Sequence, residues 1–262
     1  MTRPFLRFDR DGHVLVVTMD RPETRNALSD PDAVDAFVAC CCDINADLSV
    51  RAVVLTGAGP AFSSGGNLKT LRATMGAGLG EAANSRLAYR DGIQRLPLAW
   101  TNLEVPTIAA INGPAYGAGN DLACMCDIRV ASEQAVFCET FVKLGLIAGD
   151  GGAWLLPRTV GRSRACELAF TGEPIDAAQA FSWGLVSRVV PPDRLLPSAL
   201  ELAHRIAANP PHALRMTKRL IREGEHVRLD TLLEMSAGFQ ALAHHTAEHE
   251  AALDGFLQRK AR

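Results

Sequence analysis

Several features are missing from this 262-residue chain, and each absence removes a class of answer. No apolar run approaches the roughly 18 residues that a membrane helix needs. The opening MTRPFLRFDRDG carries charges throughout and has no apolar core, so no secretory leader is expected. Charge of one sign is lacking: 27 basic against 29 acidic residues leave a net −2, which gives no general field for coating nucleic acid. No basic or aromatic motif for nucleic acid stands out either. The seven cysteines are an odd number in a chain too long to need stapling, so no disulfide framework is expected. Cys40, Cys41 and Cys42 are consecutive in an apolar helical stretch and point in different directions, and Cys124 and Cys126 have no second pair. All are expected to be reduced core residues of a cytoplasmic protein. His244, His245 and His249 lack a third ligand and no H-E-x-x-H occurs, so no metal is expected.

What is present is an ordinary globular composition, 48% hydrophobic and 21% charged, sufficient for one large or two small domains. Residues 13–19, 51–56, 106–112 and 127–131 read as strands, with a short fifth at 135–139. Helices are expected over 30–47 and 80–102, and the alternation predicts an α/β layer structure. The stretch 70–90, with Gly76, Gly78 and Gly80, is the expected mobile segment. Beyond residue 140 the apolar spacing is helical, with a small strand or turn at 184–190. The stripe Leu232, Met235, Phe239 and Leu242 must pack on the core or on another subunit. The expected division is a core domain, 1–195, and a C-terminal helical region, 196–262. Arg215, Lys218, Arg219 and Arg222 read as one solvated helix face.

Two glycine-rich loops, GAGPAFSSGGNLK and GPAYGAGN, each follow a buried strand and open into a helix. Glycines let backbone N–H groups approach a ligand, and at a helix start those groups are unpaired and lie at the positive dipole end. Two such loops face to face form an oxyanion hole; as tight turns alone they carry no chemistry. Phosphate-loop readings fail on spacing. No G-x-G-x-x-G follows a strand, and Leu68 precedes Lys69 where a GK[ST] is required. No G-x-S-x-G elbow surrounds Ser63 or Ser64.

At this point a resemblance emerges. RPETRNALS at 21–29, VLTGAGPAFSSGGNLK at 54–69 and PTIAAINGPAYGAGNDLACMCDIRVAS at 106–132 are similar to the crotonase (enoyl-CoA hydratase/isomerase) superfamily. GDGGAWLLPRTVG at 149–161, TGEPIDAAQAFSWGLVSRVV at 171–190 and FLQRK at 256–260 continue the similarity over nearly the whole chain. The resemblance implies a spiral of ββα units with a C-terminal helical trimerisation region, a homotrimer or hexamer, and acyl-CoA thioester substrates. Coenzyme A would enter as part of the substrate, with no separate cofactor.

By the same resemblance, the amides of Gly66 and Ala118 are the expected oxyanion donors. Arg25, Ala27, Ser64, Asn67, Leu68 and Lys69 match the coenzyme A pocket, with Asn67 replacing a more usual aspartate. Lys69 and Arg72 are candidates for phosphate contact or plain surface charge. Phe256 and Lys260 match the segment near the adenine. Of the two glutamates a hydratase uses, the first position holds Asp121 and the second holds Phe141, which transfers no proton. Three carboxylates lie near that gap. Asp150 is a reserve catalytic group or a helix cap, Glu139 shares a face with Phe141 or lies on the surface, and Asp127 is structural. Leu98, Trp100, Phe141 and Trp154 are candidates for an apolar acyl pocket. The expected activity is hydratase/isomerase chemistry through a thioester enolate, with isomerisation more tolerant of Phe141. The alternatives are a lyase or hydrolase using Asp150, or a catalytically silent coenzyme A-binding protein.

Overall fold

The computed structural model describes residues 4–29, 31–69, 72 and 82–260. Strands β1 (Leu6–Asp11), β2 (Val14–Met19), β3 (Ala52–Gly57), β4 (Thr107–Ile111), β6 (Ile128–Ser132) and β9 (Arg188–Val190) form one sheet in the order β1-β2-β3-β4-β6-β9. All neighbours pair in parallel except the hairpin β1–β2, which turns at Gly12 with φ 57°. The parallel strands are covered on both faces, which accounts for runs such as AVVL and TIAAI that show no polar alternation.

One face carries Val17, Val53, Leu55, Ala109 and Ile111 under helices α1 (Pro31–Ala46) and α3 (Arg95–Thr101). There Phe37 and Trp100 meet edge to face, with centroids 5.4 Å apart. The other face carries Val16, Val54, Ile108 and Val130 under helix α8 (Leu195–Ala207). Ala199, Ala203 and Ala207 sit four apart on α8 and are buried, so small side chains bring the helix close to the sheet. The boundary expected at 195/196 therefore falls at the start of a helix that closes the main core.

A second, three-stranded sheet positions the site. β5 (Ala115–Tyr116) pairs in parallel with β7 (Val136–Cys138), and β7 pairs antiparallel with β8 (Ile175–Asp176). A parallel bridge from Ser63 to Ala115 adds the first glycine loop to its edge. Residues 64–66, 117–118 and 139–141, which follow these three segments, thus emerge at one end.

The expected strands appear within a residue or two of their bounds. The span 80–102 is two helices, α2 (Ala82–Asp91) and α3, separated by a turn at Gly92–Gln94. Residues 70, 71 and 73–81, including Gly76, Gly78 and Gly80, lie outside the described residues. After the short α7 (Ala177–Ser182) and α8, the chain ends in α9 (Pro211–Gly224), α10 (Leu229–His244) and α11 (Ala247–Lys260). Of the basic run on α9, only Arg219 is a solvated side chain, beside Glu223. Arg215 is 7% exposed, ion-pairs with Glu104 at 2.7 Å and donates to the carbonyls of Ile44, Asn45 and Asp47. Lys218 Nζ holds Asp127 at 2.7 Å and the Val105 carbonyl at 2.9 Å. Unpaired carbonyls at the end of α1 and in the neighbouring loops need donors, and a long cation reaches them. Among the described residues no helix is long and apolar enough to cross a membrane.

Candidate active site

The first glycine loop is held by the segment 21–29. Asn26, with φ 55°, turns its Nδ2 onto the carbonyls of Ala58, Ala61 and Phe62 at 3.0–3.1 Å. Backbone bonds from Ser64 to Arg25 and from Leu28 to Gly65, at 2.8 and 2.7 Å, stitch the two segments together. Sequence reading passed over Asn26. Its signal was an asparagine in a turn-prone run, since asparagine tolerates left-handed backbone.

The two glycine loops then touch. A methyl on Gly65 would lie 2.3 Å from the Tyr116 carbonyl oxygen and 2.9 Å from the Ala118 nitrogen. One on Gly119 would lie 2.3 Å from the Ser63 oxygen. Glycine is required at both positions because backbone packs on backbone. Ala118 is the first residue of helix α4 (Ala118–Met125), all of which is buried. Among the described residues, no acceptor engages the amide of Gly66 or of Ala118.

One helical turn after Ala118 stands Asp121, 0% exposed. Gly152, at the start of helix α5 (Gly152–Val160), lies directly against it: a methyl there would come 2.1 Å from Asp121 Oδ1. Glu139 and Asp150 are buried beside it, and Asp121 is within hydrogen-bonding reach of both. Asn120 Nδ2 donates to Glu139 Oε1 at 2.5 Å. Both oxygens of Asp121, Oε2 of Glu139 and Oδ1 of Asp150 are buried without a donor, and among the described residues no cation pairs with the three. Burial and mutual repulsion hold the Asp121 carboxyl well above the usual carboxylate range. Burial pushes Glu139 up to about 7 and raises Asp150 as well. Like charges this close cannot all ionise, so at neutral pH the cluster shares protons. Burial and the nearby Asp150 and Asp121 also raise the Tyr89 hydroxyl.

Beside the cluster opens an apolar cavity of about 280 Å³ between α5 and helix α6 (Arg162–Thr171), with Glu139, Phe141 and Gly152 in its wall. The Phe141 ring also covers Gly117, with Cζ 3.5 Å from where a β-carbon would stand. Phe141 therefore links the second glycine loop to the cavity.

The profile of the "Enoyl-CoA hydratase/isomerase" family matches residues 9–262. The chain belongs to that family. It is 34% identical to the 1,2-epoxyphenylacetyl-CoA isomerase of Escherichia coli, over 94% of this chain and 93% of the other. It is 36% identical to the short-chain-enoyl-CoA hydratase of Clostridium acetobutylicum, over 96% and 94%. The crystal structure of an enoyl-CoA hydratase from Bacillus anthracis superposes with a TM-score of 0.89 at 35% identity, covering 97% of this chain and 96% of that one. The fold is thus the crotonase fold, and the chain is an enzyme of the hydratase/isomerase type. Neither the hydrolase nor the silent-protein alternative is favoured by these relatives.

Of the residues that the family resemblance singled out, the structure gathers Ser64, Gly66, Ala118, Asp121, Asp150 and Phe141 around the meeting point of the two loops. Arg25 is exposed with φ 53°, and Ala27 is buried at 1%. Asn67 Oδ1 accepts from the Lys69 amide at 3.0 Å, an intraloop role that asparagine fills as well as aspartate. Leu68, Lys69 and Arg72 are exposed. Phe256 lies exposed on α11, whose principal neighbour is α10, and the Lys260 side chain lies outside what the structure describes.

Other readings are corrected. Glu139 is 1% exposed, not a surface carboxylate, because β7 carries it inward onto Asn120. Asp150 does not cap α5; Gly151 occupies the cap with no side-chain bond. Trp100 is a core residue against Phe37, and Leu98 is 65% exposed. Trp154 is 42% exposed and stacks on Arg158 and His226. Of the four proposed pocket residues, only Phe141 lines the cavity. Asp127 is structural as expected, accepting from the Thr107 amide and hydroxyl at 2.7 and 2.9 Å. Among the described residues no group of three or more His, Cys, Asp or Glu is placed to hold a metal.

Proposed function

We propose that this enzyme moves a carbon–carbon double bond along an acyl-CoA thioester, using Asp121 as the proton carrier. The observation that carries the reading is the sharing of one helical turn by the free Ala118 amide and the buried Asp121, with apolar Phe141 nearby. The Gly66 and Ala118 amides hold the thioester oxygen as it gains negative charge, an arrangement whose single donors are typically worth about 3 kcal/mol. Asp121, as carboxylate, takes a proton from one carbon of the acyl chain. The C–H electron pair moves into the conjugated enolate, and the same proton returns at another carbon. Atoms and charge balance without water or a redox partner.

The neighbouring carboxylates make Asp121 available. Glu139 and Asp150 lie within hydrogen-bonding reach of Asp121 and share its proton, and the chemistry uses the state in which that proton lies on a neighbour and Asp121 is the base. Water addition would need a second group to hold water, and Phe141 makes that side dry. Relatives named as an epoxyphenylacetyl-CoA isomerase and as enoyl-CoA hydratases share this scaffold, so the choice between the two chemistries rests on the site itself. Coenzyme A enters only as part of the substrate.

The test is Asp121→Asn assayed beside wild type on a 3-enoyl-CoA, for isomerisation, and on crotonyl-CoA, for hydration. The expected result is wild-type isomerisation faster than hydration, with a loss of about 10²-fold or more in the variant. Full activity in the variant makes Asp121 structural. Faster hydration than isomerisation selects instead a hydratase in which Glu139, on the cavity wall, is the second carboxylate.

We further infer a cytoplasmic homotrimer or dimer of trimers. Helix α10 has no buried residue, yet exposes Leu229, Leu233 and Leu242. The seven cysteines are unpaired, which suits a reducing compartment.

A further inference from the structure

We infer that the cavity between α5 and α6 seats the far end of the acyl group, and that the enzyme is built for apolar acyl groups of about six to eight carbons in all or ones ending in an aryl ring. This rests on the thioester reading above.

The room is made by small side chains. Ala148, Ala153, Ala165, Cys166 and Ala169, with Gly152, supply much of the wall. At each of these positions a leucine-sized residue would remove space. An apolar protein cavity of about 150 Å³ takes up benzene and stays dry, so this one, at about 280 Å³, holds a ring or a folded medium chain with space left over.

The cavity is continuous with the chemistry. Glu139 and Gly152 belong both to its wall and to the carboxylate cluster, and Phe141 lies against Gly117 just before the Ala118 amide. A thioester whose oxygen sits on that amide, with its reacting carbons beside Asp121, directs the rest of its chain past Phe141 into the cavity. Beyond Glu139, the wall offers no charged group among the described residues. A tail ending in a carboxylate or ammonium would lose its water without gaining a partner.

Among the described residues, the mouth is apolar and uncovered. Ile147 is 79% exposed, Phe170 75% and Val142 43%, and all three line the cavity. An acyl tail would cover apolar surface that the chain alone leaves wet.

Calorimetry with the intact wild-type enzyme and saturated acyl-CoAs of 4, 6, 8, 10 and 12 carbons tests the inference. Affinity is expected to rise by about threefold per methylene up to C8 and then level off. The ω-carboxyl C8 thioester is expected to bind at least tenfold more weakly than octanoyl-CoA. In Ala169→Phe, which fills the cavity, the ratio of C8 to C4 affinity is expected to fall by about tenfold or more. Equal affinity for C4 and C8 in wild type overturns the pocket while leaving the thioester reading intact. An unchanged ratio in a folded Ala169→Phe protein overturns it as well. If that variant does not fold, the wild-type series decides. Failure of every acyl-CoA to bind overturns the thioester reading itself.

Discussion

Glu139 shows how much a single side chain's setting matters. Its carboxyl titrates near 7 in the folded protein against an ordinary 4.5, because burial disfavours the charge. Between those values the unfolded chain gives up this proton while the folded chain keeps it, so stability falls as pH rises from about 4.5 to 7 and stays lowered above. Glu139→Gln keeps an acceptor for Asn120 and removes the titration. Thermal unfolding should therefore show little change at pH 4 and a stabilised variant at pH 8, by an amount on the order of 3 kcal/mol at about 1.4 kcal/mol per pKa step. Equal effects at both pH values would mean that the shift lies elsewhere in the cluster. This residue was only half legible in the sequence. Its closeness to Phe141 along the chain was visible, but its burial depends on Asn120 and Asp121, which arrive from another helix. Ala118 and Asp121 share one loop-helix junction and Gly66 sits in the other glycine loop, so all three could be singled out by resemblance from local sequence alone, whereas the contact of the two loops at Gly65 and Gly119 appears only in the fold. Trp100 was misread because an aromatic near a pocket and one in a core look alike until the facing partner, here Phe37, is known.

Helices and loops meet here with little tolerance. The start of α5 rests on α4 at Gly152, where a β-carbon would overlap Asp121. Gly152→Ala should cost about 1–3 kcal/mol in chemical denaturation by overpacking. It should also lower kcat at least tenfold, since a displacement near 1 Å at a reacting group is costly. Retained kcat would show that α5 moves aside freely. At the first glycine loop, Asn26→Ala removes the donor shared among three carbonyls and puts alanine in left-handed backbone. A loss of about 2–4 kcal/mol is expected by urea unfolding, from unsatisfied carbonyls and strain together. The larger elements were legible because buried parallel strands leave unbroken apolar runs, as VVLT and TIAAI do. β1 was missed although LRFDRD ends at a D-G turn, because its outer residues are exposed and only Leu6 is buried. β5 and β8, of two residues each, have no period to detect and exist only by pairing with β7.

At the scale of the whole molecule, the unmatched feature is α10. Sixteen residues rich in leucine with none buried predict association. Light scattering at micromolar concentration should return three or six times the 28.1 kDa chain mass, and a monomer mass would reject the assembly. The basic residues of α9 carry a different consequence, in the order of events during synthesis. The last strand of the main sheet ends at Val190, so a growing chain holds every parallel strand before α9 exists. Carbonyls at Ile44, Asn45 and Asp47 nevertheless await Arg215, 168 to 171 positions later, and Val105 awaits Lys218, 113 positions later. Release of those final segments from the ribosome is the moment at which the early turns become locked, so a chain stalled before residue 211 should remain open to protease around 44–47 while its sheet already resists.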